Sequence, residues 1–394
     1  MSEAAMETTR IDKKSTVIGA GMLVLGLVLA AVGKAMNTSD PDVLAHAYLF
    51  GWVYWACLTF GCLGLSLLHH AARGDWGFPI LRIFESGGGW INLTVFGALF
   101  APVALLWKPV FYPWARPAEV AADKVLQYKA AFFQVWEPRL ILYFAIFITL
   151  ALLNKNWQRM EDKTGEEKWW KKRQYFGGIF LVIFTFAINF LWTDILMSQY
   201  ARWYSTIYGI WFLVGSCLLA FSVAAIIVCT QSDKKPYNEV AKPWLLRDLG
   251  NWMLTFTMLW AYFSLSQYLI IWSGNIEENI KFFLDRSERG WLYHAWSLIA
   301  LHFFIPFTLL LSPRAKRVPK LLAGIGVYIL FARFLDLWWV VTPTWKKEWG
   351  INPVDIGMFL VFGGIWFLLF GWQIKQAPLL TYKARPLTEA VDHV

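Results

Sequence analysis

Charged residues are scarce in this chain. Asp, Glu, Lys and Arg together make up 16% of its 394 residues, whereas soluble domains contain about 25%. Hydrophobic residues make up 58% of the sequence and lie in long blocks rather than in short alternations. About 20 consecutive apolar residues are needed to cross the ~30 Å of hydrocarbon in a bilayer. The composition therefore excludes an ordinary soluble domain and predicts an integral membrane protein.

Cysteine is also scarce, and its positions exclude several functions. The 4 cysteines all lie inside apolar blocks, and none belongs to a CxxC pair or a Cys/His zinc pattern: Cys57, Cys62, Cys217 and Cys229. We therefore expect buried thiols, no disulfide framework and no iron–sulfur cluster ligated by this chain. The formal net charge of +9 comes from short basic loops that contact anionic membrane lipid, and no nucleic-acid partner is expected.

Ten apolar blocks are long enough to span a membrane. Lipid offers no hydrogen-bond partners to the backbone, so each block is predicted to be a helix. The expected fold class is all-α, a polytopic membrane protein with about ten transmembrane helices. The predicted spans are residues 16–36, 44–70, 84–107, 137–154, 174–196, 205–230, 248–273, 291–312, 319–341 and 354–373.

Basic residues are divided unequally between the two sets of loops. The set that includes both chain ends contains more than twice as many Lys and Arg residues as the other set. The positive-inside rule places the richer set, and with it both termini, in the cytoplasm. The first block follows Arg10, Lys13 and Lys14, but its length favours an uncleaved helix over a signal peptide.

Spans two to five and spans six to nine form two similar sets. Each set begins and ends on the outer side, and its last helix carries a carboxylate in the outer half, Asp194 and Asp336 respectively. We predict a parallel duplication of two four-helix bundles, at residues 44–196 and 197–341. Residues 1–43 are assigned to a cytoplasmic N-terminus and a peripheral first helix. Residues 342–394 are assigned to a peripheral tenth helix and a cytoplasmic tail.

Ionisable side chains inside the predicted spans are few, and such groups usually mark a pathway or a site. Asp194 lies near the outer end of span five. It either caps the helix or pairs with Arg202, or else it takes up and releases protons. Arg333 and Asp336 lie on one face of span nine, because they are three residues apart. They form either an internal ion pair that ties helices together or part of a proton path.

Three histidines are further candidates for a quinone or proton path. His46 opens span two near the outer face, and His294 and His302 lie on span eight, where His302 precedes a kink expected at Pro306. The alternative for each is a core histidine with satisfied hydrogen bonds. His46 and His294 lie at depths that would also suit haem ligation, which is the weaker hypothesis.

The inner interface carries further polar residues. His69 and His70 are expected to be solvated. Glu85 precedes the glycines Gly87 to Gly89, which permit close helix approach and are not a phosphate-binding loop, because no GxxxxGK pattern follows.

Three segments resemble a known family. TDILMSQYARWYSTIYG (Thr193 to Gly209) is similar to the D-x-x-M-S-x-x-x-x-W-x-S-T-x-x-G signature of the polysulfide-reductase membrane-subunit (NrfD-like) family. RDLGNWMLTFTMLWAYFSLSQYLIIWSGN (Arg247 to Asn275) and HFFIPFTLLLS (His302 to Ser312) resemble the branch of that family found in alternative complex III. In length the chain is most similar to the ActF-type subunit, the smaller of two related membrane subunits. SQYARW (Ser198 to Trp203) departs from the S-L-x-P-x-W of many relatives.

The resemblance implies a membrane subunit of a bacterial quinol:cytochrome c, or other electron-acceptor, oxidoreductase in the cell inner membrane. The implied partners are a larger homologous NrfD-like subunit, an iron–sulfur subunit and haem c subunits, with a terminal oxidase as a further partner. These partners would hold the haem c and iron–sulfur clusters, menaquinone or ubiquinone would be the quinone, and no metal is expected on this chain. By position, Asp194 and His46 match the polar groups of the family's quinol sites.

Two other functions stay open from the sequence. The chain could be a scaffold that only anchors peripheral redox subunits, with its polar groups as internal ties. A secondary transporter also fits a parallel duplication, but the paired Gly/Pro-broken helices that would favour transport are not evident at the membrane midplane. A cavity near Asp194 or His46 would favour a quinol site, and a filled bundle would favour the scaffold.

Overall fold

The computed structural model describes residues 3–381, with side chains from residue 11 onward. This part of the chain is helical and contains no strand. Its α-helices, in chain order, are α1 (Glu3–Met36), α2 (Val43–Ala72), α3 (Leu81–Gly87), α4 (Trp90–Leu99), α5 (Ala101–Leu105), α6 (Lys108–Phe111), α7 (Pro117–Ala122), α8 (Lys124–Phe132), α9 (Trp136–Thr164), α10 (Glu167–Ile195), α11 (Tyr208–Thr230), α12 (Tyr237–Val240), α13 (Pro243–Gly274), α14 (Glu277–Leu284), α15 (Trp291–Leu298), α16 (Ile305–Leu311), α17 (Pro313–Arg317), α18 (Pro319–Val341) and α19 (Pro353–Ile374).

Ten helical segments of the described chain are long and apolar enough to cross a membrane. They coincide with the ten predicted spans, so the prediction of an all-α polytopic membrane protein is confirmed. The segments are Ile11–Met36, Val43–Ala72, Leu81–Leu105, Lys124–Thr164, Glu167–Gln199, Tyr208–Thr230, Pro243–Gly274, Trp291–Leu311, Pro319–Thr344 and Pro353–Ile374. The part of the predicted tail at residues 382–394 lies outside the described residues.

The helices α9 and α10 are longer than their predicted spans. Both continue past the apolar residues into the basic loop between them, where α9 ends at Gly165 in the left-handed conformation (φ 66°). Glycine adopts this conformation without steric cost, which makes it a common helix stop. The result is a helical hairpin that extends beyond the apolar segments at one end of the molecule. That end, which carries the loops richer in Lys and Arg, is called the basic end below.

Two sets of spanning helices pack side by side. In the first set α2 packs against α10, and α9 packs against both α10 and α4. In the second set α11 packs against α13 and α18, and α13 packs against α16. Contacts of α11 with α2 and α10 join the two sets. Helix α19 contacts both α1 and α2, so the tenth spanning helix lies between the first one and the first set.

The α1–α19 pair is held together by direct backbone contact between glycines seven residues apart. A Cβ added to Gly26 would lie 2.7 Å from the nitrogen of Val361, and one added to Gly364 would lie 2.7 Å from the carbonyl oxygen of Gly19. Both distances are shorter than real Cβ contacts allow. Small residues at such positions let helices approach closely in lipid, where packing rather than hydrophobicity drives association.

Two spanning segments are not continuous α-helices. The third span breaks between α3 and α4 at Gly88, where an added Cβ would lie 2.7 Å from the Cα of Leu63. The predicted close approach is therefore present, together with a helix break. The eighth span contains a π-helical segment at Ile299–Phe304, which includes His302. Pro306 follows it, lacks an N–H and would clash with the carbonyl four residues earlier, so the expected kink takes the form of a wider helical turn.

Replacement of Gly26 by Leu is expected to lower the thermal stability of the detergent-solubilised protein. The larger side chain would meet the α19 backbone and separate the two helices, at a cost of about 1–3 kcal/mol. Gly21→Leu is the matched control, because no atom lies within 4 Å of a Cβ added at Gly21 on the same helix. Equal melting temperatures for the two variants, measured by differential scanning fluorimetry, would contradict this account of the α1–α19 contact.

Candidate functional site

Asp194 lies at the end of α10 that is opposite the basic end, and its carboxylate is held by α9. Arg139 Nε donates to Asp194 Oδ2 at 3.0 Å, and the hydroxyl of Tyr143 donates to the same oxygen at 3.2 Å. Trp136 Nε1 donates to the main-chain oxygen of Asp194 at 3.0 Å. The side chain of Asp194 is 5% exposed and that of Arg139 is 19% exposed. The ion pair is therefore accessible mainly from the arginine side.

Of the alternatives left open for Asp194, the pair with Arg202 is not the one present. Arg202 lies beyond the end of α10, where its side chain turns toward other loops. It contacts Asp123 Oδ2 at 3.1 Å and Glu278 Oε1 at 3.5 Å. The pKa of the Asp123 carboxyl lies below its ordinary value, first because the carboxylate accepts a hydrogen bond from the Val125 N–H and then because Arg202 donates to it. Asp194 instead forms its ion pair with Arg139 of the neighbouring helix α9.

Tyr112, in the loop that follows α6, covers the end of α10. Its hydroxyl donates to the carbonyl oxygen of Ile195 at 2.9 Å, and its ring packs against Trp136. Burial raises the pKa of the Tyr112 phenol well above its ordinary value, and the negative charge of Asp194 acts in the same direction. The phenol therefore stays protonated and works as a hydrogen-bond donor beside Asp194.

His46 lies against a small polar cavity at the same end of the molecule. Its ring stacks on Trp345 at a centroid distance of 5.3 Å. The cavity has a volume of about 60 Å³, and Asp40, His46, Lys346 and Asp355 supply its ionisable lining. Small-molecule pockets usually measure about 300–1,000 Å³. This cavity therefore accommodates a few water molecules but not a quinone ring.

His294 is fully engaged by its neighbours. Trp349 Nε1 donates to His294 Nδ1 at 3.1 Å, so His294 Nε2 carries the proton and donates to the carbonyl oxygen of Leu335 at 2.9 Å. This tautomer leaves no lone pair for a metal, and the weaker hypothesis of haem ligation does not fit His294. The side chain acts as a tie between α15, α18 and the loop before α19.

Arg333 and Asp336 form a buried ion pair on α18, each 2% exposed. Trp260 Nε1, on α13, donates to Asp336 Oδ2 at 3.2 Å. The ring of His302 lies over Trp260 at a centroid distance of 3.9 Å. Within the described chain, neither nitrogen of His302 has a hydrogen-bond partner, and the same holds for Asp336 Oδ1 and Arg333 Nε. The ion pair anticipated from the sequence is present, and it lies inside a cluster with unused donors and acceptors.

A larger cluster, not anticipated from the sequence, lies toward the basic end of the first set. Arg173 on α10 is completely buried. Its guanidinium donates to Asn154 Oδ1 at 2.9 Å, to Glu161 Oε2 at 3.0 Å, to His70 Nε2 at 2.9 Å and, by a short contact, to Glu85 Oε1. One side chain thus joins four helices: α2, α3, α9 and α10.

Arg82 completes this cluster. It donates to Glu85 Oε2 at 2.8 Å and to Asp162 Oδ1 at 2.5 Å. His69 and His70 are both buried, so the expectation that they are solvated is wrong. The reason is that the α9–α10 hairpin continues past the apolar segments and covers the end of α2.

The sequence contains a signal for this cluster. The residues Asn154, Gln158 and Glu161 follow the apolar part of α9 at spacings of four and three, so they lie on one helix face. That face continues the buried side of α9. Arg173, on the adjoining helix α10, is therefore expected to lie among buried polar partners.

No protein-family model matches the sequence, and no curated protein matches it either. The resemblance to the NrfD-like family therefore stays a prediction from three sequence segments. Among residues 3–381, no three His, Cys, Asp or Glu side chains come together as a metal-binding group. The structural observations that bear on function are the contacts of Asp194, of the Arg333–Asp336 pair and of Arg173.

Replacement of Arg173 by Gln is expected to destabilise the protein strongly. It would leave the buried carboxylates of Glu85 and Glu161 without this cation, at a cost of about 3–5 kcal/mol. Lys171→Gln is the control, because Lys171 is exposed on the same helix and pairs with exposed Glu167, where a surface pair contributes at most about 1 kcal/mol. Gel filtration and thermal unfolding in detergent measure the difference, and a variant as stable as wild type would refute the assigned role of Arg173.

Proposed function

We propose that this chain is a membrane subunit of a quinol:electron-acceptor oxidoreductase complex of the alternative complex III type, within the NrfD-like family. Its part in the reaction is to receive protons and conduct them, while the redox centres lie in partner subunits. The observation that carries the proposal is the buried Asp194 carboxylate, bound by Arg139 and Tyr143, at the start of the segment that resembles the family signature. A buried ionisable group at a membrane boundary is costly and is retained for function more often than for stability.

Quinol oxidation releases two electrons and two protons. The electrons pass to a partner's iron–sulfur or haem centre, and the protons need acceptors near the ring oxygens. A carboxylate is a suitable proton acceptor. In this proposal Asp194 is the carboxylate that accepts a proton from the quinol. The cavity at His46 has room only for water, an observation that by itself favours the scaffold. The proposal therefore places the quinol at the boundary with the larger homologous subunit, not inside this chain.

The Arg333–Asp336 cluster supplies a second protonatable group in the other helix set. His302 has both ring nitrogens unused among the described residues, so it can accept a proton on one and donate from the other. Asp336 Oδ1 is likewise unused there. In this proposal each set of helices contributes one carboxylate to proton movement. The basic end faces the cytoplasm of a bacterial cell, and both termini lie on that side.

A second candidate is a scaffold that only anchors the redox subunits. The observation that favours it is that both carboxylates are already ion-paired, Asp194 with Arg139 and Asp336 with Arg333. Such pairs also serve as ties within a helix bundle. A substitution that removes the charge of the carboxylate distinguishes the two functions. It should lower turnover in a proton-conducting subunit and leave turnover unchanged in a scaffold.

Asp194→Asn in the purified complex is expected to lower quinol-dependent reduction of the electron acceptor by tenfold or more, because general base catalysis typically contributes 10²–10⁴-fold. Subunit composition, followed by gel electrophoresis and the haem c spectrum, is expected to be unchanged, since Asn preserves the shape and can accept from Tyr143.

Asp123→Asn is the matched control for this measurement. Asp123 is a carboxylate at the same end of the molecule, paired with Arg202, and its variant is expected to retain wild-type turnover. Asp336→Asn is expected to reduce the number of protons released per electron in proteoliposomes. Wild-type turnover and proton release in both the Asp194 and the Asp336 variant would establish the scaffold instead.

A further inference from the structure

A small cavity lies where the third spanning segment breaks, toward the basic end. Its volume is about 10 Å³, enough for one water molecule. The lining comes from α2, from the break between α3 and α4, from one face of α9 and from α19. The polar and charged side chains in the lining include those of Glu85, Lys155, Gln158 and Gln373.

Gln158 is the first sign that this cavity binds something. The residue is 1% exposed, and neither its amide nitrogen nor its amide oxygen has a hydrogen-bond partner among the described residues. An unpaired buried amide destabilises the folded protein, because it has lost its hydrogen bonds to water. A ligand, with or without a bridging water, would remove that cost by bonding to both atoms.

Lys155 is the second sign. It lies three residues before Gln158 on the same face of α9, and its ammonium group makes no hydrogen bond or ion pair with the described part of the chain. The carboxylate in the lining, Glu85, is already bound by Arg82 and Arg173. Asp162 attracts the Lys155 charge only from beyond ion-pair distance and is itself bound by Arg82. The ammonium group therefore has no direct anionic partner in the described part of the chain.

The N-terminus of α4 adds favourable backbone donors. Gly88, Gly89 and Trp90 line the cavity, and the ten-residue helix α4 begins at Trp90 without a side-chain cap at Gly89. The first N–H groups of a helix have no partner within the helix and favour an anion. Glycine at position 89 makes room for the side chain of Gln373, because an added Cβ would overlap Gln373 Oε1.

We propose that the mouth of this cavity binds the phosphate of an anionic phospholipid. Lys155 and the first N–H groups of α4 hold the phosphate oxygens, and one water in the enclosed part links the phosphate to the buried amide group of Gln158. A lipid fits better than free phosphate because the site lies between two spanning segments. Trp90, which lines the cavity and is half-buried, provides an apolar surface for the start of an acyl chain.

Native mass spectrometry of the detergent-solubilised protein, titrated with phosphatidylglycerol, tests this site. Lys155→Gln is expected to weaken retention of phosphatidylglycerol by about tenfold, the effect of losing one charge-assisted hydrogen bond. Gln158→Leu is expected to weaken it by a smaller factor, and Lys155→Arg to preserve it. Lys171→Gln, an exposed lysine of the same helical hairpin, is the control and is expected to retain the lipid as wild type does.

Three outcomes would overturn the proposal. Undiminished retention by both Lys155→Gln and Gln158→Leu would remove the site. An equal loss in Lys171→Gln would show general attraction to the basic end. Displacement of phosphatidylglycerol by millimolar inorganic phosphate, together with equal retention of phosphatidylcholine, would assign the site to free phosphate. If Lys155→Gln does not yield folded protein, the comparison of Gln158→Leu with Lys155→Arg decides.

Discussion

The burial of one guanidinium group, that of Arg173, constrains the whole first set of helices. A charge taken out of water must be compensated by partners in good geometry, and Arg173 finds them on α2, α3 and α9. These contacts require the α9–α10 hairpin to continue beyond the apolar segments. Because α9 and α10 are long helices, the register set at Arg173 also places Arg139 opposite Asp194 at their other ends.

The two sets of helices and the α1–α19 pair are held together by different kinds of contact. The first set uses buried charge, and the α1–α19 pair uses glycine contacts between backbones. The second set contains a π-helical segment around His302, which disturbs regular packing and leaves polar atoms without partners nearby. Within the part of the chain that the structure describes, His302 and Asp336 keep unpaired polar atoms at this irregular part of the second set, and Gln158 keeps them in the first set.

Sequence patterns predicted the features that depend on neighbours in the chain. The ten spans follow from apolar block length, and the Arg333–Asp336 pair follows from a spacing of three on one helix. The partner of Asp194 was not found among the alternatives, because Arg139 lies on another helix and Arg202, the cation considered, is nearer in sequence. Arg173 falls just outside the predicted fifth span, residues 174–196, and its buried position could not be predicted for the same reason. Its partners come from three other helices, and no local pattern contains them all.

The two carboxylates differ in the helix that supplies their arginine. Asp336 is paired within α18, so a change in its charge alters an interaction inside one rigid element. Asp194 is paired across the α9–α10 interface, so its neutralisation would release a tie between two elements. In the proposed function, proton uptake at Asp194 would loosen the contact between α9 and α10, whereas uptake at Asp336 would weaken an ion pair within α18 and a hydrogen bond from Trp260 on α13.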